Sequence, residues 1–177
     1  MVFFETKLKG LHIIEVEKRE DERGFFARTF CQHEFEAHGL NPLIAQCSVS
    51  FNRRKGTLRG MHYQVAPSEE TKLVRCTRGA VYDVAVDLRR DSPTFKQWVA
   101  VELTAANRRM LYLPKSVAHG FQSLVDDTEV FYQISEFYDP ESTRGLRWND
   151  PAFGIVWPEV ENRILSERDM SYGDCGW

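Results

Sequence analysis

Short runs of apolar and aromatic residues recur along the chain, and several alternate apolar with polar positions at a period of two. This period is typical of β-strands with one buried face. In 81–88, for instance, Asp83 and Asp87 alternate with an apolar set on the opposite face. The predicted strands cover 11–18, 24–30, 43–51, 56–64, 71–89 with a turn at Arg78-Gly79, 98–104, 109–114, 119–125 and 128–138. Eight or more strands in 177 residues indicate an all-β fold: a sandwich, a jelly roll or a barrel.

Helical patterns are scarce. In the first half of the chain, QHEFEAHG at 32–39 is predicted to be a helix that Gly39 closes. After Trp157 the strand pattern stops, and we expect a short helix and loop there. Without a repeat or a low-complexity linker, 1–177 is predicted to be a single domain. Inward-facing residues of the β-structure are then the candidates for chemistry.

Composition and charge narrow the function classes. The chain is 42% hydrophobic and 28% charged, with a net charge of −3, which argues against a nucleic-acid binder. No apolar run approaches the ~18–20 residues that span a bilayer, and the start lacks a signal-peptide pattern. The four cysteines form no C-x-x-C pair, so we expect thiols rather than a zinc site. These features predict a cytoplasmic protein without a membrane partner.

Several predicted strands carry side chains that can exchange protons. If 65–70 is a loop, Arg59, His62 and Lys72 lie on neighbouring strands. Tyr138 follows Tyr132 by six residues, which puts both on one face if the strand is continuous. The further candidates are Asp83, Asp87 and His119. Each residue alone fits a structural role, but their convergence inside one barrel would suit proton transfer.

A metal-dependent oxygenase of the same barrel class would need a different set of residues. Such a site needs three or four convergent ligands, usually two histidines separated by one residue, a carboxylate and a further histidine. Here the stretch reads His62-Tyr63-Gln64, which leaves only the distant His119. We therefore do not expect a catalytic metal.

Six segments resemble the nucleotide-sugar 4-keto 3,5-epimerases, of which dTDP-4-dehydrorhamnose 3,5-epimerase is the best-known type. The segments are DERGFF at 21–26, GTLRGMHYQ at 56–64, KLVR at 72–75, DVAVDLRRDSPTF at 83–95, LPKSVAHGF at 113–121 and WNDPAFGIVWP at 148–158. The resemblance runs from about residue 3 to residue 170. It implies a cupin-type β-barrel (jelly roll) with short peripheral helices, no metal or cofactor, and a homodimer with strand exchange near the N terminus. The apolar residues Val2, Phe3 and Phe4 fit such an edge strand.

The resemblance also implies roles for individual residues. His62 would be the general base, Asp169 would orient it, Tyr132 would be the acid on the opposite face of the sugar, and Lys72 would stabilise the enolate oxygen. The implied substrate-binding set is Arg23, Phe26, Arg28, Gln46, Ser48, Arg59, Asp83, His119 and Tyr138. Within it, Arg59 and Arg23 would contact the diphosphate, with Arg23 reaching across the dimer. Tyr138 would lie against the nucleotide base, and His119 and Asp83 would line the sugar pocket.

Two positions depart from the family pattern. Arg28 stands where the family usually has glutamate, and Ser48 stands where it usually has asparagine. Both departures are compatible with drift, or with a relative that uses a CDP- or GDP-linked 4-keto sugar or epimerises only one carbon. The same barrel is also compatible with two other functions. One is a ketoisomerase or dehydratase, although these enzymes generally lack the His62–Lys72–Tyr132 combination. The other is a non-catalytic sugar-binding cupin. The expected partner is a nucleotide-diphosphate sugar.

Overall fold

Antiparallel β-sheets make up most of the structure, a computed structural model that describes residues 1–176. The strands are β1 (Val2–Glu5), β2 (His12–Glu15), β3 (Arg19–Asp21), β4 (Gly24–Phe26), β5 (Gln46–Asn52), β6 (Leu58–Gln64), β7 (Lys72–Arg78), β8 (Ala80–Asp87), β9 (Trp98–Thr104), β10 (Met110–Leu113), β11 (Val117–Ser123), β12 (Thr128–Ile134) and β13 (Thr143–Gly145). The helices are α1 (Gln32–Ala37) and α2 (Glu167–Ser171). The six-stranded sheet has the order β1-β2-β10-β7-β12-β5, and the five-stranded sheet has the order β13-β6-β11-β8-β9. The predicted cupin-type β-fold is confirmed.

The main hydrophobic core contains residues from both large sheets. Val74 of β7 and Val130 of β12 belong to the same fully buried cluster as Ala85 of β8 and Phe121 of β11. A second cluster contains the alternate residues of β8, such as Val84, together with residues of the 146–165 segment. Both faces of β8 are therefore covered, which explains why its sequence is apolar at almost every position.

Helix α1 packs on the outer strands of the six-stranded sheet. Phe35 is buried, with its ring edge-on to Phe3 of β1 and Tyr112 of β10 at centroid distances of 5.6 and 5.9 Å. Gly39 follows the helix at a φ of +68°, a backbone angle that favours glycine. The predicted helix at 32–39 and its glycine terminator are thus confirmed, and α2 accounts for the short helix predicted after Trp157.

Several predicted strands are shorter than expected, among them 11–18, which is extended only at His12–Glu15, and two of these differences affect candidate site residues. In the predicted strand at 24–30, only Gly24–Phe26 is extended, as β4, and it pairs with β3 in a separate hairpin. The strand predicted at 128–138 ends at Ile134, so Tyr138 is not on a continuous strand with Tyr132. Ala45 donates its N–H to the Ile134 carbonyl, and beyond that point the chain leaves the sheet.

Two further findings concern the described residues. None of their helices is long and apolar enough to cross a membrane. The four cysteines all lie within residues 1–176, and none is in a disulfide.

Candidate active site

A cavity of about 420 Å³ has walls from both large sheets. Strands β5, β7 and β12 contribute from one sheet, strands β6 and β11 contribute from the other, and residues 166–169 at the start of α2 complete it. The lining residues are Ser48, Val49, Ser50, Arg59, His62, Lys72, His119, Phe121, Tyr132, Ile134, Ser166, Arg168 and Asp169. Seven residues predicted from the sequence therefore meet in one place: Ser48, Arg59, His62, Lys72, His119, Tyr132 and Asp169.

His62 and Asp169 form a hydrogen-bonded pair at the cavity wall. The distance from His62 Nε2 to Asp169 Oδ1 is 2.6 Å, with the imidazole about one-third exposed and the carboxylate nearly buried. Burial opposes ionisation of Asp169, but hydrogen bonds, above all with His62, outweigh it and hold the pKa of this carboxyl below its usual value. A carboxylate that accepts a hydrogen bond from Nε2 fixes the tautomer of the imidazole, which leaves Nδ1 as the nitrogen that can accept a proton.

Local geometry fixes both members of this pair. Ser166 caps α2, since its Oγ accepts a hydrogen bond from the Asp169 N–H at 3.1 Å. On the other side, β6 approaches β11 closely at Gly60, where a Cβ would lie 2.5 Å from the Cα of Gly120. Gly60 has a φ of +135° and donates its N–H to Asp169 Oδ2 at 3.4 Å. The two glycines thus let His62 approach the start of α2.

Lys72 enters the cavity from the sheet opposite to His62. We expected Arg59, His62 and Lys72 on neighbouring strands, and this was wrong. β6 belongs to the five-stranded sheet and β7 to the six-stranded sheet, because the 65–71 loop carries the chain from one sheet to the other. The Lys72 ammonium therefore lies on the opposite wall from the imidazole, where its Nζ is 2.7 Å from Glu70 Oε1.

His119 and Asp83 form a second histidine–carboxylate pair, which is more deeply buried. His119 Nε2 lies 2.9 and 3.0 Å from the two Asp83 carboxylate oxygens, and the side chains are 5% and 0% exposed. Burial raises the pKa of Asp83 above its usual value, against the opposing effects of His119 and Lys72. Asp83 does not line the cavity itself and supports His119 from behind.

Tyr132 supplies a phenol beside His119, with the two rings edge-on at a centroid distance of 6.2 Å. Burial raises the pKa of the Tyr132 phenol far above its usual range, and the Asp83 carboxylate adds to this effect, while Arg59 opposes it. The phenol therefore stays protonated at neutral pH and can act as a proton donor. The cavity thus contains a carboxylate-supported imidazole on one wall, and an ammonium and a protonated phenol on the other.

Two guanidinium groups line the same cavity. Arg59 donates from Nε to the buried Asn52 Oδ1 at 2.8 Å, which fixes its orientation. Arg168 donates from Nε to the Tyr172 hydroxyl at 2.8 Å. Arg168, Ser166 and Glu70 were not among the residues predicted from the sequence. The only signal for Arg168 and Ser166 was their position next to Asp169 in LSERDM.

Five further predicted residues lie outside the cavity lining. The Arg23 side chain is 89% exposed and pairs with Asp21, Phe26 is 72% exposed, and Arg28 pairs with Glu34 at 3.0 Å. Tyr138 is 60% exposed, and its N–H donates to Gln46 Oε1 at 2.6 Å. Within one chain, the β3–β4 hairpin and Arg28 are therefore not at the site that Lys72 and His62 form.

The described residues contain no group of three or more His, Cys, Asp or Glu side chains that could hold a metal ion.

The chain is similar to known epimerases over nearly its whole length. The family model of dTDP-4-dehydrorhamnose 3,5-epimerase matches residues 5–175. The dTDP-4-dehydrorhamnose 3,5-epimerase of Shigella flexneri is 44% identical over 172 residues, which cover 97% of this chain and 94% of the relative. The crystal structure of the Bacillus anthracis enzyme with TDP and PPi bound has a TM-score of 0.94 at 40% identity, covering 98% and 99% of the two chains.

Two other solved structures represent different reaction outcomes. The Legionella pneumophila epimerase in complex with dTDP-4-keto-L-rhamnose has a TM-score of 0.91 at 39% identity, with 97% of this chain and 90% of that chain covered. A 3′-monoepimerase from Streptomyces bikiniensis in complex with dTDP-quinovose has a TM-score of 0.88 at 34% identity, with 96% and 85% covered. The chain belongs to the dTDP-4-dehydrorhamnose 3,5-epimerase family and is an epimerase, an enzyme of the isomerase class.

Proposed function

We propose that this enzyme epimerises a dTDP-linked 4-keto-6-deoxy sugar at C3 and C5, of the kind that yields dTDP-4-dehydrorhamnose. One observation carries the proposal: the His62–Asp169 pair lies on one wall of a cavity whose other wall presents Lys72 and Tyr132. Inversion at a carbon beside a ketone needs a base on one face of the sugar, an acid on the other, and a group that stabilises the enolate. The cavity offers all three.

In the first half-reaction, His62 removes the proton from the carbon next to the C4 ketone. The C–H electron pair moves into the carbon–carbon bond, and the carbonyl oxygen becomes an enolate oxygen. Lys72 stabilises this oxygen with its ammonium, a preorganised interaction typically worth ~3–4 kcal/mol. Asp169 stabilises the imidazolium that His62 becomes.

In the second half-reaction, Tyr132 donates its phenolic proton to the same carbon from the opposite face, and the ketone reforms. The configuration is inverted, while the substrate has gained and lost one proton. The phenolate then regains a proton, and His62 gives up the one it took. The raised pKa of the Tyr132 phenol keeps the residue protonated until the enolate is present.

We propose that the diphosphate binds near Arg59, with Arg168 adding a second positive charge in the same cavity. Guanidinium groups bind phosphate oxygens in bidentate fashion and remain charged at all physiological pH values. His119 supported by Asp83 would donate to the sugar, and Ser48, Gln46 and Tyr138 would lie towards the nucleotide base.

We further propose a homodimer of single-domain chains, 1–177, in the cytoplasm. Arg23, Phe26 and Arg28 are away from the cavity of their own chain, and a partner subunit would bring them to the site. The edge strand β1 exposes Val2 and Phe4 and is open to pairing with a second chain. A cytoplasmic location fits a nucleotide-diphosphate substrate, whose charges prevent passive passage through a bilayer.

Solvent deuterium uptake tests the proposed reaction directly. The protein is incubated in D₂O with dTDP-4-keto-6-deoxyglucose, and the C3 and C5 protons are followed by NMR. We expect exchange at both carbons, because each is next to the C4 ketone. The CDP- and GDP-linked counterparts serve as nucleotide controls. Absence of exchange with every sugar nucleotide would overturn the proposal and favour a sugar-binding cupin without turnover.

A single-carbon epimerase is the second candidate, and two residues favour it. Arg28 and Ser48 depart from the family pattern, and Ser48 lines the cavity. The similar Streptomyces bikiniensis protein is a 3′-monoepimerase. Exchange at one carbon only, or only with another nucleotide, would support this candidate over the 3,5-epimerase. A ketoisomerase would instead move the carbonyl group, which the same spectra would show as a new ketone carbon.

A further inference from the structure

A glutamate on the loop before β7 is in direct contact with the cavity lysine. Glu70 Oε1 lies 2.7 Å from Lys72 Nζ, and the two side chains are only 11% and 12% exposed. Lys72 lines the cavity, whereas Glu70 is not part of its wall. The carboxylate therefore contacts the ammonium from behind, while the ammonium remains accessible to a bound sugar.

The residues on both sides of Glu70 are fixed by hydrogen bonds. Glu69 Oε1 accepts a hydrogen bond from Ser116 Oγ at 2.7 Å, which ties the loop to the turn before β11. Thr71 donates its N–H to Ser135 Oγ at 2.8 Å, and its carbonyl accepts from the Ser135 N–H at 3.0 Å. These contacts hold the loop against the end of β12, so the backbone at Glu70 is fixed without Lys72.

Lys72 needs such a partner because its side chain is long and is only 12% exposed to solvent. A lysine side chain has high rotamer entropy, and an ammonium in a water-poor site is costly unless it is paired. The other titratable groups that face Lys72 are Asp83 from β8, His119 from β11 and Tyr132 from β12. Asp83 already accepts from His119 with both oxygens. Glu70 is thus the carboxylate in direct contact with the ammonium.

We propose that Glu70 is a positioning residue for the epimerisation: its carboxylate holds the Lys72 ammonium at the place where the enolate oxygen forms. This inference rests on the proposed function and adds to it a residue that does not touch the substrate. Glu70 acts through Lys72 alone, so its removal should affect enolate formation and leave nucleotide binding intact.

The test compares two substitutions of Glu70 in the deuterium-exchange assay. Glu70→Ala is expected to lower the exchange rates at C3 and C5 by about 10- to 100-fold, since a misplacement of about 1 Å can cost up to 10²-fold. Its affinity for dTDP, measured by titration calorimetry, should stay close to that of the wild type. Glu70→Gln keeps a hydrogen-bond acceptor for Lys72 and should restore most of the exchange at neutral pH.

The comparison of exchange rate with dTDP affinity separates this role from a merely structural one. A structural defect lowers both quantities, whereas loss of a positioning residue lowers the exchange rate alone. Glu69→Gln is the matched control: it changes the adjacent glutamate, whose partner is Ser116, and should leave both quantities unchanged. Should Glu70→Ala fold poorly, Glu70→Asp takes its place: it shortens the side chain, and should lower exchange without weakening dTDP binding.

Three results would overturn the inference. The first is exchange at the wild-type rate in Glu70→Ala. The second is exchange in Glu70→Gln that is as low as in Glu70→Ala. The third is a parallel loss of exchange and dTDP affinity in both variants, which would indicate a structural role. Failure of the proposed function is distinguishable, since the wild-type protein would then show no exchange with any of the sugar nucleotides.

Discussion

The two histidine–carboxylate pairs at the cavity differ in the pKa of their carboxyl groups. Hydrogen bonds keep the pKa of Asp169 low against burial, whereas burial raises the pKa of Asp83. The His62 side chain is 34% exposed and His119 only 5%. A base must be reached by the substrate and must be able to take up a positive charge, and these conditions favour His62 over His119. The same chemical pair thus suits two tasks because its surroundings differ.

Replacement of His62 by alanine tests its assignment as the base. We expect the C3 and C5 exchange rates to fall by about 10²- to 10⁴-fold, the usual contribution of a general base. The affinity for dTDP should change little, because we propose that Arg59 and its neighbours bind the nucleotide diphosphate. The exposed His33 of α1 offers a matched control, since His33→Ala removes an imidazole far from the cavity. Near-wild-type exchange in His62→Ala would exclude the proposed role.

At the scale of elements, the alternation of apolar and polar residues predicted most strands but not their partners. The alternation placed β6 and β7 correctly along the sequence. It could not show that Lys72 lies on the opposite sheet from His62, because this depends on the 65–71 loop, which carries the chain from one sheet to the other. The end of β12 at Ile134 was missed because EFY at 136–138 continues the aromatic pattern. Glu70 could not be predicted, since a charged loop residue gives no periodic signal and its role arises from a tertiary contact.

The end of β8 depends on a single carboxylate, which gives a prediction about stability and pH. Asp87 accepts hydrogen bonds from Arg89, Ser92 and Thr94. Burial opposes ionisation of Asp87, but the Arg89, Ser92 and Thr94 hydrogen bonds lower its pKa to about 2. A lowered pKa means stability that is fully present above the ordinary value of 3.8 and is lost as the pH falls towards 2.

Asp87→Asn should therefore lower the free energy of unfolding at pH 7, by at most about 2 kcal/mol. The difference from the wild type should shrink below pH 4 and vanish only below pH 2, because the wild-type carboxyl is still half ionised at its pKa of about 2. Urea unfolding at several pH values measures this, and the exposed Asp91→Asn serves as the control. A difference that stayed constant from pH 7 to pH 2 would show that charge is not the cause.

At the scale of the whole molecule, the proposed dimer is what would complete the site. Residues of the His62 cavity come from one chain, whereas Arg23, Phe26 and Arg28 lie elsewhere on that chain. The local sequence pattern predicted the β-structure of 24–26, but it contains no information about which copy of the chain these residues serve. The resemblance to a family and the apolar N-terminal residues Val2, Phe3 and Phe4 suggested a second subunit, but neither showed which residues it contributes.

Mixing of two inactive variants tests whether Arg23 acts across the dimer. Chains with Arg23→Ala and chains with His62→Ala are refolded together, so that a mixed dimer contains one site with both residues intact. Random pairing should restore about a quarter of the wild-type sites. Mixing His62→Ala with Asp169→Ala is the control, because these residues pair within one chain and no mixture restores them. An equal lack of recovery in both mixtures, or a monomer in light scattering, would exclude the shared site.

The contact between Gly60 and Gly120 limits which substitutions this enzyme can accept beside its base. A Cβ on Gly60 would meet the Gly120 backbone at 2.5 Å, and one on Gly120 would meet Met61 Sδ at 2.6 Å and the Arg59 carbonyl at 2.8 Å. A side chain at either glycine would collide with backbone atoms of the facing strand. Those atoms stay in place whatever residue replaces the other glycine, so neither glycine can be substituted in a single step. The backbone beside the base therefore tolerates no side chain at these two positions, whereas Ser48 on the edge strand β5 of the opposite wall is exposed and can be exchanged for a larger residue.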